Sequence, residues 1–595
     1  MPFLREGDEK RLKFEMQEST LNQNLNYNKH HTNNKVDRAA SLLKTCSSLS
    51  QLKQIHAQIF RSHLHQNNSL ASTLVSLYTS FSFSNYTHLV FSSVTTPTLS
   101  LYNHTIRAFS KNPSLCIKSL HLYFQMLRRG IKPDNYTYPF LLNSCAPLSA
   151  LKQGVEIHGR ILRTGFLLYT PVSNALIDMY GKCNSLDQSR WVFDEMLDRD
   201  VVSYNALIGA HAWLGEDMSQ AQRVLDHMPV RNAISWNGLI VGYVNGGDLS
   251  SARRIFDKMP ERNVVSWTTM LVGYAKSGYM DSARFLFDSM RERNIIAWTA
   301  MINGYAQNGR PSEALELFRG MEKARIKPEA VTMTGVISAS AQLGGTELAN
   351  WIGSYVDREG IERNEKILTA LIDMHAKCGN MEEACRLFRG IPSPDVFSYS
   401  ALITGLASHG HGFKALEIFR KMQAECIDPD NIAFVGVLTA CSHTGLVEDG
   451  LRFWDEMVND YKIKPEAGHF ACMVDMLARA GRLDEAHEMV MSMPEGPHPG
   501  ALGALLSACK TYGNVEIAES TAKKLITLEP GNTGNYLLLS STYASRGQWE
   551  EAAKVRVAMK EKRIDKLPGC SWIEVKSRNH CHEIQLKRSA NEGGQ

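Results

Sequence analysis

AISWNGLIVGYVNGGDLSSARRIFDKMPERN (233–263) runs without a gap into VVSWTTMLVGYAKSGYMDSARFLFDSMRERN (264–294). The two lines are one pattern written twice. Trp236, Trp267 and Trp298 stand 31 residues apart, as do Tyr243, Tyr274 and Tyr305. A fixed period of this size marks a repeat array, in which each unit is one supersecondary element. In the second line Trp267, Met270, Leu271 and Tyr274 fall at i, i+3, i+4 and i+7, which is one apolar stripe on a helix. Gly278 permits the backbone reversal that ends it. Met280, Ala283, Phe287 and Met290 form a second stripe. Each unit therefore reads as a helical hairpin. Ala283 matches Ala252, Ala314, Ala384, Ala415 and Ala486, a small residue that lets the two helices approach closely. One hairpin cannot bury its own stripes, so stacked neighbours complete the core.

Working outward, the pattern begins near Val36. Two divergent units (36–68, 69–98) precede clearer ones at 99–134, 135–169, 170–200, 201–232, 233–263, 264–294, 295–329, 330–364, 365–395, 396–430, 431–466 and 467–498, about 14 in all. The longer units end in IKPD (131–134), IKPE (326–329), IDPD (427–430) or IKPE (463–466). Proline there stops the second helix and sets the turn into the next unit. Residues 1–35 are polar, rich in Asn and without periodicity, as expected of a disordered segment. Arg5 and Arg11 suit an organelle presequence, but Glu6, Asp8, Glu9, Glu15 and Glu18 do not, because transit peptides are poor in acids. After 498 the helix pairs 501–532 and 533–564 have a tetratricopeptide character. KLPGCSWIEV (566–575) reads as an extended segment with Trp572 and Ile573 tucked onto the last helices. Residues 576–595 form a polar tail.

Composition excludes several classes. With 65 Lys and Arg against 61 Asp and Glu, a bulk basic footprint is absent. No apolar run approaches the ~18 residues of a membrane span. Of the twelve cysteines, Cys46, Cys145, Cys441 and Cys509 close an LLxxC-like run at one repeat position, and Cys183 and Cys378 share another. They read as small buried apolar residues. No C-x-x-C pair exists, which points to a reducing compartment. His580, Cys581 and His582 lack the spacing of a closed metal site. No catalytic constellation and no cofactor site is found, and no metal ligand set.

The recurrent phrases NALIDMYGKCNSLDQSRWVFDEM (174–196), VVSYNALIGA (201–210), VVSWTTMLVGYAKSG (264–278) and AMINGYAQNGRPSEALELF (300–318) resemble plant pentatricopeptide repeat proteins of the class with alternating long and short repeats. YLLLSSTYASRGQWEEAAKVRVAMKEKRIDKLPGCSWIEV (536–575) resembles that family's C-terminal E extension. Period and resemblance together predict an all-α fold, a right-handed α-solenoid superhelix over 36–498 with an E-type extension over 499–575. The resemblance implies sequence-specific binding of single-stranded organelle RNA, one base per repeat, and a role as a site-recognition factor for cytidine-to-uridine editing. Some relatives end in a zinc deaminase domain carrying H-x-E and C-x-x-C. Here none of the twenty His is followed at the second position by Glu. The expected protein is thus not an enzyme and recruits a deaminase in trans, with multiple-site organelle editing factors as further partners by resemblance. The expected location is the mitochondrion, with the chloroplast as alternative. Splicing, stability or translation of organelle RNA is a competing role, and a peptide-binding helical scaffold a more distant one.

The residues offer a reading mechanism. Position 5 of each first helix follows the recurrent aromatic and so points away from its stripe, while the last residue of the unit sits at the turn into the next. In a stack both line one groove, where short polar side chains can bond a splayed base edge. Asn and Asp at the last position are also natural helix caps. Position 5 lies inside a helix, where Asn, Ser and Thr have no propensity advantage, so its recurrent polarity favours recognition. The family's pairing code implies uridine for Asn103 with Asp134 and for Asn174 with Asp200. It implies a pyrimidine for Asn205 with Asn232 and for Asn237 with Asn263. Adenosine is implied for Thr268 with Asn294 and weakly for Thr334 with Asn364. Guanosine is implied for Thr369 with Asp395 and weakly for Ser400 with Asp430. Thr299 with Glu329, Pro139 with Tyr169, Val435 with Glu466 and Ala471 with His498 depart from the code and are expected to act as spacers.

Overall fold

The computed structural model describes residues 29–81, 83–494 and 496–562. Every regular element among them is a helix, and none is a strand. The first helix, Lys29–Lys44, starts inside the stretch 1–35 that composition marks as aperiodic. Its sequence, KHHTNNKVDRAASLLK, carries its apolar residues only at the C-terminal end, so periodicity alone does not reveal its first turns. The segment 566–575, the tail 576–595 and His580, Cys581 and His582 lie outside the described residues.

Two compact units divide the chain, Met1–Val336 and Ile337–Gln595. Each is a stack of helical hairpins. In the first unit the pairs include Thr170–Lys182 with Leu186–Glu195, Val201–Leu214 with Met218–His227, Ala233–Asn245 with Leu249–Lys258 and Val264–Lys276 with Met280–Ser289. In the second they include Glu365–Lys377 with Met381–Arg389, Val396–Ser408 with Gly412–Ala424 and Pro499–Tyr512 with Val515–Leu528. Consecutive first helices of the repeats pack on one another along each stack.

The period dictates this packing. Met270, Leu271, Met280, Ala283, Phe287 and Met290 are all buried, and Trp267 and Tyr274 pack half-buried against the same core. Ala252, Ala283, Ala314, Ala384, Ala415 and Ala486 are fully buried, as the close approach of paired helices requires. Gly278 takes φ +81°, and the amide of Tyr279 donates to the carbonyl of Tyr274 at 3.0 Å, the left-handed C-terminal turn expected there. Gly242 serves a different purpose. A Cβ on it would stand 2.9 Å from Cα of Ala212 in the preceding repeat, so glycine lets adjacent first helices approach.

Aromatic pairs staple one repeat to the next. Phe256 meets Trp267 edge-on at 5.0 Å between centroids, Phe287 meets Trp298 at 4.8 Å and Phe388 meets Tyr399 at 4.9 Å. Such pairs contribute ~0.5–1.5 kcal/mol each beyond their buried area. In the long repeats the second helix ends at a left-handed residue before Ile-x-Pro: Gly130 at φ +74°, Arg325 at +55°, Cys426 at +56° and Lys462 at +56°. Cys145, Cys441 and Cys509 are fully buried. Burial pushes the thiols of Cys145 and Cys441 up to about 12 and that of Cys509 to about 11, which suits a packing role.

Candidate nucleic-acid interface

The last residue of a repeat caps the first helix of the next. Oδ1 of Asp200 accepts from the Ser203 amide at 2.8 Å, Asn232 from Ser235 at 3.0 Å, Asn263 from Ser266 at 2.9 Å and Asn294 from Ala297 at 2.9 Å. Asp134, Asn364, Asp395 and Asp430 do the same for Thr137, Ile367, Ser398 and Ala433. Capping therefore accounts for the choice of Asn and Asp at this position. It also fixes the side chain, because Oδ1 is held by the helix end. Burial would raise the Asp200 carboxyl, but hydrogen bonds from the Ser203 amide and hydroxyl and from Asn174 outweigh it and hold the group below its usual range.

Position 5 of the same repeat comes to that cap. Nδ2 of Asn103 donates to Asp134 at 3.0 Å, Asn174 to Asp200 at 3.3 Å, Asn205 to Asn232 at 3.4 Å and Asn237 to Asn263 at 3.3 Å. Oγ1 of Thr268 reaches Asn294 at 3.5 Å, and the Ser400 hydroxyl donates to Asp430 at 2.7 Å. Two further pairs differ. Thr369 meets Asp395 through an intervening hydroxyl: Thr369 Oγ1 is 2.8 Å from Ser398 Oγ, which donates to Asp395 at 2.6 Å. Thr334 belongs to the first compact unit and Asn364 to the second, and the Thr334 hydroxyl donates to the Val331 carbonyl at 2.8 Å. The Asn residues at position 5 are half-buried, whereas Thr268 is only 7% exposed and Ser400 only 2%. Those two hydroxyls are thus engaged inside the protein.

Three sets of residues escaped the sequence reading. The first is the hydroxyl three residues after the cap. Ser235 Oγ donates to Asn205 Oδ1 of the preceding repeat at 2.7 Å and lies 3.0 Å from Asn232 Oδ1. Thr137 does the same for Asn103 at 2.7 Å. Thr332 lies 2.6 Å from Thr299. These hydroxyls orient the position-5 side chain, and their signal is the recurrent spacing Asp/Asn-x-x-Ser/Thr, with Glu329 in place of Asp or Asn before Thr332. The second set follows the first residue of each helix. Val202, Ile234, Val265, Ile296, Phe397 and Ile432 are exposed, one apolar surface per repeat beside the caps. The third is the residue before the cap in the short repeats. Arg199, Arg231, Arg262 and Arg293 each donate twice to the closing carbonyls of the second helix, as Arg262 does to Phe256 at 3.0 Å and Asp257 at 3.0 Å. Arg262 also stacks on the Phe256 ring at 4.9 Å. In the long repeats Pro133, Pro328, Pro429 and Pro465 hold the same turn, as Pro394 does in the short repeat 365–395.

The departing pairs lack the shared geometry. Glu329 makes no bond with Thr299. Glu466 is engaged by Asn431 at 3.4 Å, and His469 stands where other repeats carry the hydroxyl, its Nδ1 accepting from the Glu466 amide at 3.1 Å. Nδ1 of His498 accepts from the Gly500 amide at 3.1 Å. Among the described residues no group of three His, Cys, Asp or Glu is placed to hold a metal ion, and no helix is long and apolar enough to cross a membrane.

Comparison with known proteins places these features in context. The PPR repeat model matches residues 172–201, 234–264, 265–295, 367–393, 397–427, 432–461 and 469–496, a PPR repeat family model matches 293–342, and the E motif model matches 512–574. A putative pentatricopeptide repeat-containing protein of Arabidopsis thaliana is 44% identical over 536 residues, covering 90% of this chain and 97% of that one. Two others from the same plant, one described as mitochondrial and one as chloroplastic, are each 36% identical, with 93% and 91% of this chain covered and 87% and 78% of theirs. Among solved structures, the maize pentatricopeptide repeat protein PPR10 superposes with a TM-score of 0.50 at 18% identity, over 89% of this chain and 87% of that one. PPR10 has also been solved in complex with an 18-nt psaJ RNA element. At that identity the likeness is one of fold.

Proposed function

The chain belongs to the plant pentatricopeptide repeat proteins, and on that premise we propose that it binds single-stranded organelle RNA in a sequence-specific manner and marks a cytidine for editing. The observation that carries RNA reading is the row of capped pairs. Asn103 with Asp134, Asn174 with Asp200, Asn205 with Asn232 and Asn237 with Asn263 repeat one geometry. The cap engages Oδ1, so the outer atom, Oδ2 of Asp200 or Nδ2 of Asn232 and Asn263, remains for a ligand, while Oδ2 of Asp134 also accepts from Asn103 at 3.2 Å. Carboxylate and carboxamide differ there in donor character, which is the difference needed to tell base edges apart. The exposed apolar residue beside each cap offers a surface for the base to stack on. The assignments are those implied by the family code, with Thr369/Asp395 and Ser400/Asp430 added to the four pairs above and Thr268/Asn294.

The E motif matched at 512–574 supports editing over other RNA roles. The chemistry itself would come from a deaminase acting in trans, with multiple-site organelle editing factors as further partners. Relatives described as mitochondrial and as chloroplastic support an organelle, with the mitochondrion preferred. Sequencing organelle transcripts from a loss-of-function line and its parent tests the proposal. One or a few cytidines should lose editing in the mutant and regain it on complementation. Unchanged editing at every site, with altered splicing or transcript ends instead, would replace the editing role by one in RNA processing.

A further inference from the structure

Repeat 135–169 has Pro139 at position 5 and Tyr169 at the last position, so it cannot form the hydrogen-bonded pair of its neighbours. It nevertheless lies between two such pairs, Asn103/Asp134 before it and Asn174/Asp200 after it. Tyr169 stands at the N-cap of Thr170–Lys182 and contributes no side-chain cap bond. The residue is 48% exposed, and its ring is backed by Phe166 at 5.6 Å between centroids. The turn beneath it is fixed: Val172 stands where other repeats carry the cap-bonding hydroxyl, and the next residue, Ser173, donates its hydroxyl to the Leu167 carbonyl at 2.6 Å. Tyr136 is 66% exposed, and its amide donates to Asp134 at 3.1 Å, which ties it to the preceding pair.

We propose that this repeat is a stacking site and not a spacer: a nucleobase of the bound RNA lies on the Tyr169 ring, held without selection among the four bases. The proposal rests on the reading of the array as an RNA-binding surface and deepens it. By register, the nucleotide facing Pro139 and Tyr169 meets apolar and aromatic surface where its neighbours meet amides and carboxylates. Every base has a π-face, so stacking on tyrosine adds affinity while tolerating sequence. The four-base ambiguity of this repeat and its contribution to binding then have one cause. A protein partner on the same exposed ring is the alternative outcome that the experiment separates from it.

The test uses the full chain and a synthetic RNA, 5′-UNUCCANAGG, built to the expected order of preferences from repeat 99–134 onward. The first N is made A, C, G, U or an abasic nucleotide. Wild-type protein should bind the four bases within a few-fold of one another, purines slightly tighter, and the abasic RNA about tenfold more weakly. Tyr169→Phe should retain this behaviour. Tyr169→Ala should bind all five RNAs equally, at the wild-type abasic level. It should keep the full penalty for changing the following uridine, which faces Asn174 and Asp200, and so show that the neighbouring repeat is intact. Tight, sequence-dependent binding by wild type with no abasic penalty would overturn the stacking site alone. The same result would leave the exposed tyrosines as a protein-facing surface. Wild-type binding no better than to a scrambled RNA would overturn the RNA reading itself, and the stacking site with it.

Discussion

Thr268→Asn tests the reading position where its geometry is best defined by its neighbours. In the native chain Thr268 Oγ1 donates to the Val264 carbonyl at 2.6 Å and reaches Asn294 Oδ1 at 3.5 Å. Asn237 and Asn205, at the same position in the two preceding repeats, place Nδ2 3.3 Å and 3.4 Å from their own caps. The substitution should therefore recreate an amide–amide contact that the fold already tolerates twice. Threonine and asparagine have similar helix propensities. A new hydrogen bond contributes ~0.5–1.5 kcal/mol. Against it, Thr268 is 7% exposed, and a larger side chain in a packed site costs ~1–3 kcal/mol. The two terms nearly cancel, so stability should change by no more than about 1–2 kcal/mol. Base choice should change more. A mismatched base costs ~1–3 kcal/mol, and each 1.4 kcal/mol is about tenfold in affinity. Anisotropy titrations with four RNAs that differ only at this nucleotide should show the preference move from adenosine to pyrimidine by about tenfold or more. An equal fall on all four RNAs would make Thr268 a structural residue. No change at all would mean that position 5 of this repeat does not face a base.

Other outcomes follow from single contacts. Ser235→Ala removes the hydroxyl that holds Asn205 at 2.7 Å; thermal denaturation should show a loss of about 1 kcal/mol, and RNA titrations a blurred preference at repeat 201–232 alone. Cys426→Gly relieves a left-handed residue at φ +56°, where repeat 99–134 already has Gly130, and should raise the denaturation midpoint, corresponding to ~1–2 kcal/mol. His56 is buried against the Tyr78 hydroxyl at 3.0 Å, and burial lowers its pKa to about 4 from 6.5. The imidazole is then neutral in the fold while the unfolded chain takes up a proton below pH 6.5, so stability present above pH 6.5 is lost between 6.5 and 4, by ~3 kcal/mol when complete. His56→Gln should flatten that part of a stability–pH profile measured by chemical denaturation.

The period was legible because it is local. Trp267, Met270, Leu271 and Tyr274 announce a helix within about two turns of chain, and Ala283 announces its partner. The pairing of position 5 with the last residue was legible as a register, since both recur with the repeat. What the register conceals is depth. Nothing local distinguishes Ser400, nearly inaccessible, from Asn237, half-buried, because burial depends on how closely the next helix stands. The orienting role of Ser235 was hidden for the same reason: within its own helix it is an ordinary capping-box residue, and its bond to Asn205 crosses into the preceding repeat. The start of the helix Lys29–Lys44 was missed because its first turns carry no apolar stripe.

The double duty of the caps sets how such an array can drift over generations. A residue that must both close a helix and face a ligand can be replaced freely only within the small alphabet that closes helices. Asn and Asp are nearly equal in that task, yet differ in the atom they show outward. Asp200 and Asn232 cap their helices alike, so an exchange between the two residue types passes unnoticed by the fold and, on the proposed reading, is seen only by what is bound. On the proposed reading, a single nucleotide change in the gene would rewrite one letter of the target, with no loss of protein to repair first.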